Sequence, residues 1–352
     1  MKVALVVPNN VWFCPYVSIY TQLLAEEGHD YEIISWNREG VKEEAIQYNY
    51  KPKSRNPISL FYAYVKFASF VKRVLRDKNI DRLIVFTPQS AVFLSRFLKR
   101  RFRNKYIFDY RDLSIEQNRV FKFSFKRVLR NSYANVISSP GFKEYLPKGF
   151  NYYISHNFNI TEVKRALGIT SIHNFESSPI DVLTIGGIRD YESNVQIINS
   201  LANNDNFTVR FVGKGPSAAD LRNAAESIDA RNVSFEGYYP KEKEKDYIAS
   251  ATFLNIFYPR KPSHNSALSN RFYNSLIYKR PMITTANTTQ GIFAEKYNVG
   301  VAIDNCVNLA DDLTSYLAGL DRNEFNESCN NLLNVFLQDY NIWYEVVSTF
   351  LK

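Results

Sequence analysis

Residues 266–283 read SALSNRFYNSLIYKRPMI and predict a loop, a helix and a buried strand in succession. Ser269 is suited to cap the helix, because its hydroxyl can accept from the free N–H groups of the first turn. Pro281 ends the helix and the strand follows it. The first turn carries Asn270 and Arg271 at the positive end of the helix dipole, where proteins hold phosphates. The alternative is that Arg271 is a solvated arginine on a core helix.

Length and composition set the class of protein. A chain of 352 residues, 45% hydrophobic and 22% charged, is typical of a globular protein with two domains of roughly 150–170 residues. The opening MKVALVVP predicts a buried strand rather than a signal peptide. No apolar run approaches the roughly 20 residues that span a bilayer. Three scattered cysteines predict buried thiols in a reducing compartment, and the four histidines lack metal-ligand spacing: Cys14, Cys306, Cys329, His29, His156, His173 and His264.

The positive charge is concentrated in one part of the chain. Residues 61–130 hold 18 Lys and Arg against five Asp and Glu, a surplus of 13, whereas the whole chain has a net charge of +9. Three helical patterns there, 60–77, 92–105 and 120–131, mix aromatic and basic residues. Basic amphipathic helices with Phe and Tyr suit an anionic membrane surface. Two alternatives are solvated helices whose aromatics face the core, and a nucleic-acid surface, for which no known module is visible.

Alternating strands and helices in the first half predict a parallel sheet with its ligand crevice at the carboxyl edge. The first strand, 3–7, is followed by Asn9 and Asn10 without a Gly-x-Gly-x-x-Gly motif, so we expect no dinucleotide cofactor. Asp109, Arg111 and Asp112 come at the end of a later strand. Two carboxylates around an arginine are suited to acid–base chemistry, or alternatively form a structural ion pair.

The second half repeats the pattern after a polar linker at 167–179. One strand ends in Gly186-Gly187 with Arg189 beyond it, and the next ends in Gly213-Lys214-Gly215. A single Gly-x-Gly is usually only a tight turn. Because the carboxyl ends of parallel strands share one edge, these turns and the start of the Asn270–Arg271 helix together predict a basic crevice large enough for a diphosphate.

These segments resemble bacterial GT-B glycosyltransferases of the family 4 and group 1 type, as found in capsule or O-antigen biosynthesis. The resemblance covers nearly the whole chain. It is strongest in IGGIR (185–189), FVGKG (211–215), NVSFEG (232–237), LSNRFYNSL (268–276), KRPMI (279–283) and NVG (298–300), with YIFDYRDL (106–113) and VISSPGF (136–142) matching in the first half.

The resemblance implies an α/β fold of two Rossmann-like domains whose parallel sheets face each other across a cleft. The acceptor domain would be 1–165, the nucleotide-sugar donor domain 176–331, and a C-terminal helix at 332–352 would cross back onto the first domain. The implied activity is metal-independent transfer of a hexosyl group from a nucleotide-sugar to a glycan or polyprenyl-linked acceptor. No cofactor is implied. The enzyme would be cytoplasmic and peripheral on the inner membrane face, and we expect no nucleic-acid partner.

The resemblance also implies roles for individual residues. Asp112 or Asp109 would act as the catalytic base if the reaction inverts. Asn9, Asn10 and Arg111 would lie on the acceptor side. The expected donor-binding residues are Gly186, Gly187, Arg189, Gly213, Lys214, Tyr239, Asn270, Arg271 and Asn274. The family often has a pair of glutamates where this chain has Ser266 and Asn274, so a neutral amide replaces the carboxylate that grips the donor ribose.

Two other functions fit the same sequence. One is a GT-B-like nucleotide-sugar epimerase, which we expect to carry more His and carboxylate residues. The other is a non-catalytic sugar-nucleotide-binding or scaffold protein, which the missing glutamate pair favours. The sugar, the nucleotide base, the acceptor, the linkage, the stereochemistry and the oligomeric state are not encoded in any pattern that we identify.

Overall fold

The computed structural model describes residues 1–52, 54, 56–169 and 178–352. The chain forms two compact units, Met1–Asn157 with Asp339–Lys352, and Phe158–Gln338. Most of the predicted linker, residues 170–177, lies outside the described residues.

The first unit is built on a seven-stranded sheet in which every strand pairs in parallel with its neighbours. The order is β3-β2-β1-β4-β5-β6-β7. The strands are β1 (Lys2–Val7), β2 (Asp30–Asn37), β3 (Ile46–Asn49), β4 (Arg82–Phe86), β5 (Tyr106–Tyr110), β6 (Ala134–Ile137) and β7 (Tyr152–Ile154). Central strands such as β1 are continuous apolar runs, because helices cover both faces of a parallel sheet.

Four long helices connect these strands: α1 (Val17–Glu26), α2 (Pro57–Asp77), α3 (Pro88–Arg101) and α4 (Arg119–Asn131). Asn56 caps α2 by accepting from Ser59 N, and Asn118 caps α4 by accepting from Val120 N. The capped N-termini satisfy backbone donors that the helix itself cannot. Three short 3-10 helices, Val11–Phe13, Ile115–Gln117 and Pro140–Glu144, lie in the loops.

The second unit contains a six-stranded parallel sheet of order β10-β9-β8-β11-β12-β13. Its strands are β8 (Ile180–Ile185), β9 (Phe207–Val212), β10 (Val233–Glu236), β11 (Phe253–Ile256), β12 (Met282–Thr285) and β13 (Gly300–Ile303). The helices are α5 (Ile160–Leu167), α6 (Tyr191–Leu201), α7 (Ala218–Ser227), α8 (Glu244–Ser250), α9 (Pro262–Ser266), α10 (Asn270–Ile277), α11 (Thr289–Lys296), α12 (Leu309–Ala318) and α13 (Arg322–Leu351).

Helix α13 is shared by the two units, since the second unit ends at Gln338 and the first takes up residues 339–352. Trp343, Val347 and Leu351 are buried in the core of the first unit, at the spacing that the sequence predicts for one buried face. The Trp343 indole donates to Tyr20 Oη over 3.2 Å. Helix α5, most of which the predicted boundary at 165 places in the first domain, belongs to the second unit.

Each sheet has a point where the strand order reverses. In the first sheet the chain leaves β1 toward β2 on one side and later returns to β4 on the other. In the second sheet the same reversal lies between β8 and β11. In open α/β sheets, ligands bind outside the carboxyl ends of the strands at such switch points.

Candidate functional site

A cavity of about 360 Å³ lies at the switch point of the second sheet, outside the ends of β8 and β11. It lies wholly within the second unit. Six of the nine predicted donor-binding residues line it, namely Gly186, Gly187, Arg189, Asn270, Arg271 and Asn274. The other lining residues are Ile185, Asp190, Lys241, Glu244, Tyr258, His264, Ala267, Ser269 and Gln290. The structure therefore brings together residues from two separate sequence motifs, 185–189 and 268–276.

The Gly186-Gly187 turn forms one wall of this cavity, and Gly213 packs closely against the Gly186 backbone. Gly186 has φ +93° and Gly213 has φ +132°, a region that favours glycine. A Cβ atom on Gly213 would lie 2.0 Å from the Gly186 carbonyl oxygen. Gly213 does not line the cavity, so its observed role is to let the ends of β8 and β9 approach each other.

Arg271 lines the cavity and also ties its walls together. The guanidinium donates from Nε to Ile185 O, from Nη2 to Gly187 O over 2.9 Å, and from Nη1 to Asn255 O over 3.3 Å. These bonds link the first turn of α10 to the ends of β8 and β11. A guanidinium has five N–H donors, so these three bonds do not use all of its donor capacity.

The N-terminus of α10 is organised as the sequence predicts. Ser269 accepts from Phe272 N over 3.3 Å, which confirms the predicted cap. Gln290 holds the cap in place, because its Oε1 accepts from both Ser269 N and Ser269 Oγ. The positive end of the α10 dipole therefore faces the cavity beside Arg271.

A carboxylate that the sequence analysis did not single out lines the same cavity. Glu244, at the start of α8, accepts from Tyr239 Oη over 2.7 Å, from Asn274 Nδ2 over 3.3 Å and from Lys241 Nζ. Burial, together with the Glu244 carboxylate, raises the pKa of the Tyr239 phenol, so the phenol donates this hydrogen bond at neutral pH. Asn274 thus faces a carboxylate on another helix. No sequence pattern connects residues 244 and 274.

Two other predicted donor-binding residues, Tyr239 and Lys214, do not line the cavity. Tyr239 reaches it through Glu244. The Nζ atom of Lys214 lies 5.7 Å from the centre of the exposed Tyr238 ring. Arg189 does line the cavity and is exposed at the Gly186-Gly187 turn.

The predicted acid–base cluster of the first unit is a buried ion pair. The Asp109 carboxylate is fully buried and contacts Arg111 at 2.5 and 2.6 Å through both oxygens. It also accepts from Tyr20 Oη over 2.6 Å. Arg111 donates in addition to the carbonyl and hydroxyl oxygens of Ser155. This geometry matches the alternative of a structural ion pair, because the Asp109 carboxylate is surrounded by its own partners.

Asp112 and the two predicted acceptor-side asparagines differ in exposure. Asp112 is exposed, and its Oδ1 accepts from Leu113 N over 2.8 Å. Asn10 is fully buried and organises the loop after β1. Its Oδ1 accepts from Arg38 N and Glu39 N, and its Nδ2 donates to other side chains. Asn9 is half-buried and accepts from Asn10 N.

Two further features concern membranes and metals. No helix within 1–52, 54, 56–169 and 178–352 combines the length and apolar character needed to cross a bilayer. Over the same residues, no three His, Cys, Asp or Glu side chains are grouped so that they could hold a metal ion.

Comparison with known proteins gives likeness in structure without likeness in sequence. No family model and no curated protein matches the chain. It is similar to a solved sucrose-phosphate synthase of Thermosynechococcus elongatus, with 14% identity and a TM-score of 0.71 over 99% of this chain and all of the other. It is also similar to HepE of Anabaena in complex with UDP and glucose, with 9% identity and a TM-score of 0.66 over 99% and 100%.

A third solved structure with this likeness is a UDP-N-acetylglucosamine 2-epimerase of Rickettsia bellii, with 11% identity and a TM-score of 0.58 over 99% and 98% of the two chains. At identities this low, the likeness shows the fold and leaves the reaction open. The two parallel sheets, the shared last helix and the end-to-end match with glycosyltransferase structures confirm the fold that the sequence resemblance implies. The chain adopts the two-domain GT-B fold.

Proposed function

We propose that the protein is a glycosyltransferase that takes its donor sugar from a nucleoside diphosphate bound in the cavity of the second unit. The observation that carries this proposal is that Arg271, Arg189, the N-terminus of α10 and the Glu244 carboxylate line one cavity. A nucleoside diphosphate has anionic oxygens and hydroxyl groups in the same molecule, so it matches both the cations and the carboxylate. The HepE complex with UDP supports this choice.

The cations of the cavity would supply the catalytic effect. As the glycosidic bond breaks, negative charge develops on the leaving diphosphate. Arg271 is already fixed by three carbonyl groups, so it would stabilise that charge without reorganising. Arg189 and the α10 dipole would add to the same field.

Glu244 would take the ribose. Tyr239, Asn274 and Lys241 keep its carboxylate at the cavity wall, and their three bonds leave about one of its roughly four acceptor sites for a ribose hydroxyl group. In this proposal the chain compensates for the neutral Asn274 with a carboxylate from α8.

For the acceptor proton we propose Asp112 as the base of an inverting reaction. Asp112 is an exposed carboxylate at the carboxyl edge of the first sheet, whereas Asp109 is enclosed in its ion pair. In a retaining reaction this base would not be needed in the same way.

The acceptor that we propose is lipid-linked, as in capsule or O-antigen assembly, and the enzyme would work at an anionic membrane surface. Helices α2 and α4 expose large apolar side chains among their basic residues, and we call these residues the aromatic face: Ile58, Phe61, Tyr62, Val65, Val120 and Phe123. Other rings of the same helices, Phe67 and Phe125, are buried, so the aromatics divide between core and surface.

Rings of α3 and α4 outside the aromatic face connect its two helices. Phe93 of α3 lies 5.2 Å from Phe61 of α2 and 6.0 Å from Phe121 of α4, measured between ring centres. Cationic side chains lie over its rings: Lys66 Nζ is 4.5 Å from the centre of the Tyr62 ring, and the Arg127 guanidinium is 4.8 Å from the centre of the Phe123 ring. Apolar rings with adjacent cations suit the boundary between acyl chains and anionic headgroups.

Epimerisation and pure binding are the competing functions. The structural similarity to a UDP-N-acetylglucosamine 2-epimerase keeps epimerisation open. Among the described residues that line the cavity, His264 is the one histidine, and the carboxylates are Asp190 and Glu244. An epimerase would convert a UDP-sugar without releasing UDP, and a scaffold would bind it unchanged.

The test combines binding and turnover on the purified protein. Thermal shift with UDP, GDP, ADP and TDP should give one clear stabilisation, about 2.7 kcal/mol at 100 times the dissociation constant. The exposed Arg189→Ala should weaken it without unfolding the protein. Release of nucleoside diphosphate from the matching nucleotide-sugar, accelerated by membrane lipid extract, would support transfer. A new sugar epimer without release would favour the epimerase, and binding without any product would favour the scaffold.

A further inference from the structure

The loop after β1 holds two aromatic rings out in solvent. Trp12 is 58% exposed and Phe13 is 41% exposed, although both are large apolar side chains. Their ring centres lie 3.5 Å apart, with 27° between the planes. The other two tryptophans of the chain, Trp36 and Trp343, are fully buried. We propose that the Trp12–Phe13 pair is a carbohydrate-binding platform that stacks against a neutral sugar ring of the acceptor glycan, an inference that rests on the proposed transferase function.

The loop is fixed in this conformation by its own hydrogen bonds. Trp12 N donates to Glu43 Oε1 over 3.1 Å, and Cys14 N donates to Val11 O over 2.7 Å. Buried Asn10, two residues before Trp12, donates to Asn37 at the end of β2 and accepts from the backbone of Arg38 and Glu39 in the loop that follows. The rings are therefore held outward by the backbone, and a ligand would meet a surface that is already ordered.

The position of the pair is that of a ligand site. It follows β1, the strand at which the first sheet reverses its order, and β4 is the neighbour on the other side of the reversal. Thr87, directly after β4, has φ +67°, a conformation that is uncommon for a β-branched residue. Strained residues of this kind concentrate at functional sites.

The chemistry around the rings selects the kind of ligand. One face of a pyranose ring carries C–H groups, which pack on the electron-rich face of an aromatic ring. The hydroxyl groups at its edge need hydrogen-bond partners, and the loop at 39–44 places the Glu43 carboxylate at the backbone of Trp12. The same loop also contains Glu39, Glu44 and Lys42, while the Arg38 guanidinium before it lies 4.1 Å from the centre of the Trp36 ring.

The Glu43 carboxylate argues against an anionic ligand. It contacts the backbone of Trp12 and disfavours phosphate and anionic lipid headgroups there, in contrast to the lysines and arginines of the aromatic face on α2 and α4. The two exposed aromatic surfaces of the first unit therefore fit different partners, one a neutral sugar and the other an anionic bilayer.

The experiment uses Trp12 as its own reporter. In a ¹⁵N NMR spectrum of the full chain, the indole N–H signal of Trp12 is identified as the one missing in Trp12→Phe. Methyl glucoside, methyl galactoside, N-acetylglucosamine and lactose are titrated as probes. We expect a saturable shift of this signal with at least one sugar, about tenfold weaker binding in Phe13→Ala, and unchanged binding in Val120→Ser on the aromatic face. Melting temperatures confirm that each variant folds.

The possible outcomes separate this inference from the proposed function. If no sugar moves the Trp12 signal while UDP still stabilises the protein, the platform is wrong and the transferase proposal stands. If vesicles of anionic lipid, but no sugar, move the signal, the pair belongs to the membrane surface and the inference is overturned. Sugar binding without any nucleotide binding would keep the platform as a carbohydrate site and remove the transferase.

Discussion

The guanidinium of Arg271 donates to the carbonyl oxygen of Gly187 over 2.9 Å, so the first turn of α10 is tied to the turn that ends β8. The same side chain reaches Ile185 O and Asn255 O. An arginine that looks in sequence like a simple phosphate ligand is therefore also part of the framework of its cavity. Its loss should affect stability and ligand binding together.

We expect Arg271→Ala to lower the free energy of unfolding by about 2–3 kcal/mol, because carbonyl groups at the cavity wall lose charge-assisted hydrogen bonds. Urea unfolding followed by circular dichroism measures this change. The matched control is Arg189→Ala, which removes an exposed cation from the same cavity and should leave stability nearly unchanged. Equal stability losses in the two variants would contradict the framework role of Arg271.

Gly213→Ala should destabilise the second unit by about 2–4 kcal/mol, since the new Cβ would meet the Gly186 oxygen at 2.0 Å and φ is +132°. It should also weaken nucleotide binding by displacing the Gly186-Gly187 turn. Gly237→Ala is the control, because a Cβ there meets nothing within 4 Å. Chemical unfolding of the wild type, Gly213→Ala and Gly237→Ala measures both changes in stability. A Gly213→Ala protein as stable as Gly237→Ala would refute the close approach.

Glu244→Gln should weaken binding of the cognate nucleoside diphosphate by about tenfold, because a carboxylate that accepts from a ribose hydroxyl group becomes a neutral amide. The specific readout is discrimination between the nucleotide and its 2′,3′-dideoxy form by isothermal titration calorimetry. The wild type should prefer the ribose form, and the variant should lose most of that preference. An unchanged preference would assign Glu244 to holding Tyr239 and Asn274 only.

His156 should make stability depend on pH below neutrality. Burial lowers the pKa of this imidazole below its ordinary value of 6.5, with Arg111 acting in the same direction and the nearby Asp339 carboxylate only partly opposing the shift. Below pH 6.5 the unfolded chain therefore binds a proton that the folded chain does not. Stability falls as the pH falls, by at most about 1.4 kcal/mol per pH unit from this group.

His156→Gln tests this dependence, since an amide can donate to Asp339 without titrating. The unfolding free energy of both proteins is measured from pH 7.5 to 5.5. The wild type should lose more stability over this interval than the variant. Parallel curves would show that other groups cause the pH dependence.

The aromatic face should bind anionic membranes. Val120→Ser, at a side chain 78% exposed on α4, should weaken co-sedimentation with phosphatidylglycerol vesicles by about five- to tenfold without changing the melting temperature. Val307→Ser is matched in chemistry and is 82% exposed in the second unit, so it should leave vesicle binding unchanged. High salt should weaken binding of the wild type. Equal losses in both variants would argue against a specific face.

Several features of the protein are readable from the sequence because they are local. Continuous apolar runs such as Lys2–Val7 predict buried parallel strands, and Ser269 before an amphipathic turn predicts a capped helix start. Glycines at 186 and 213 mark the tight strand ends. Periodicity, capping and turn chemistry act over a few residues, and they predict parallel α/β sheets and the edge of the sheet where the cavity lies. The GT-B fold itself was implied by the family resemblance.

The hydrogen-bond and ion-pair partner of each polar side chain was decided only by the tertiary structure. Glu244 meets Asn274 across 30 residues of chain, and Arg271 meets Ile185 across 86. Asp109, beside Arg111 in sequence, became a buried ion pair because Tyr20 and Ser155 close around it from other elements. Spacing along the chain carries the period of a helix or strand, but the partner of a side chain depends on how those elements pack, and packing brings together residues that share no local pattern.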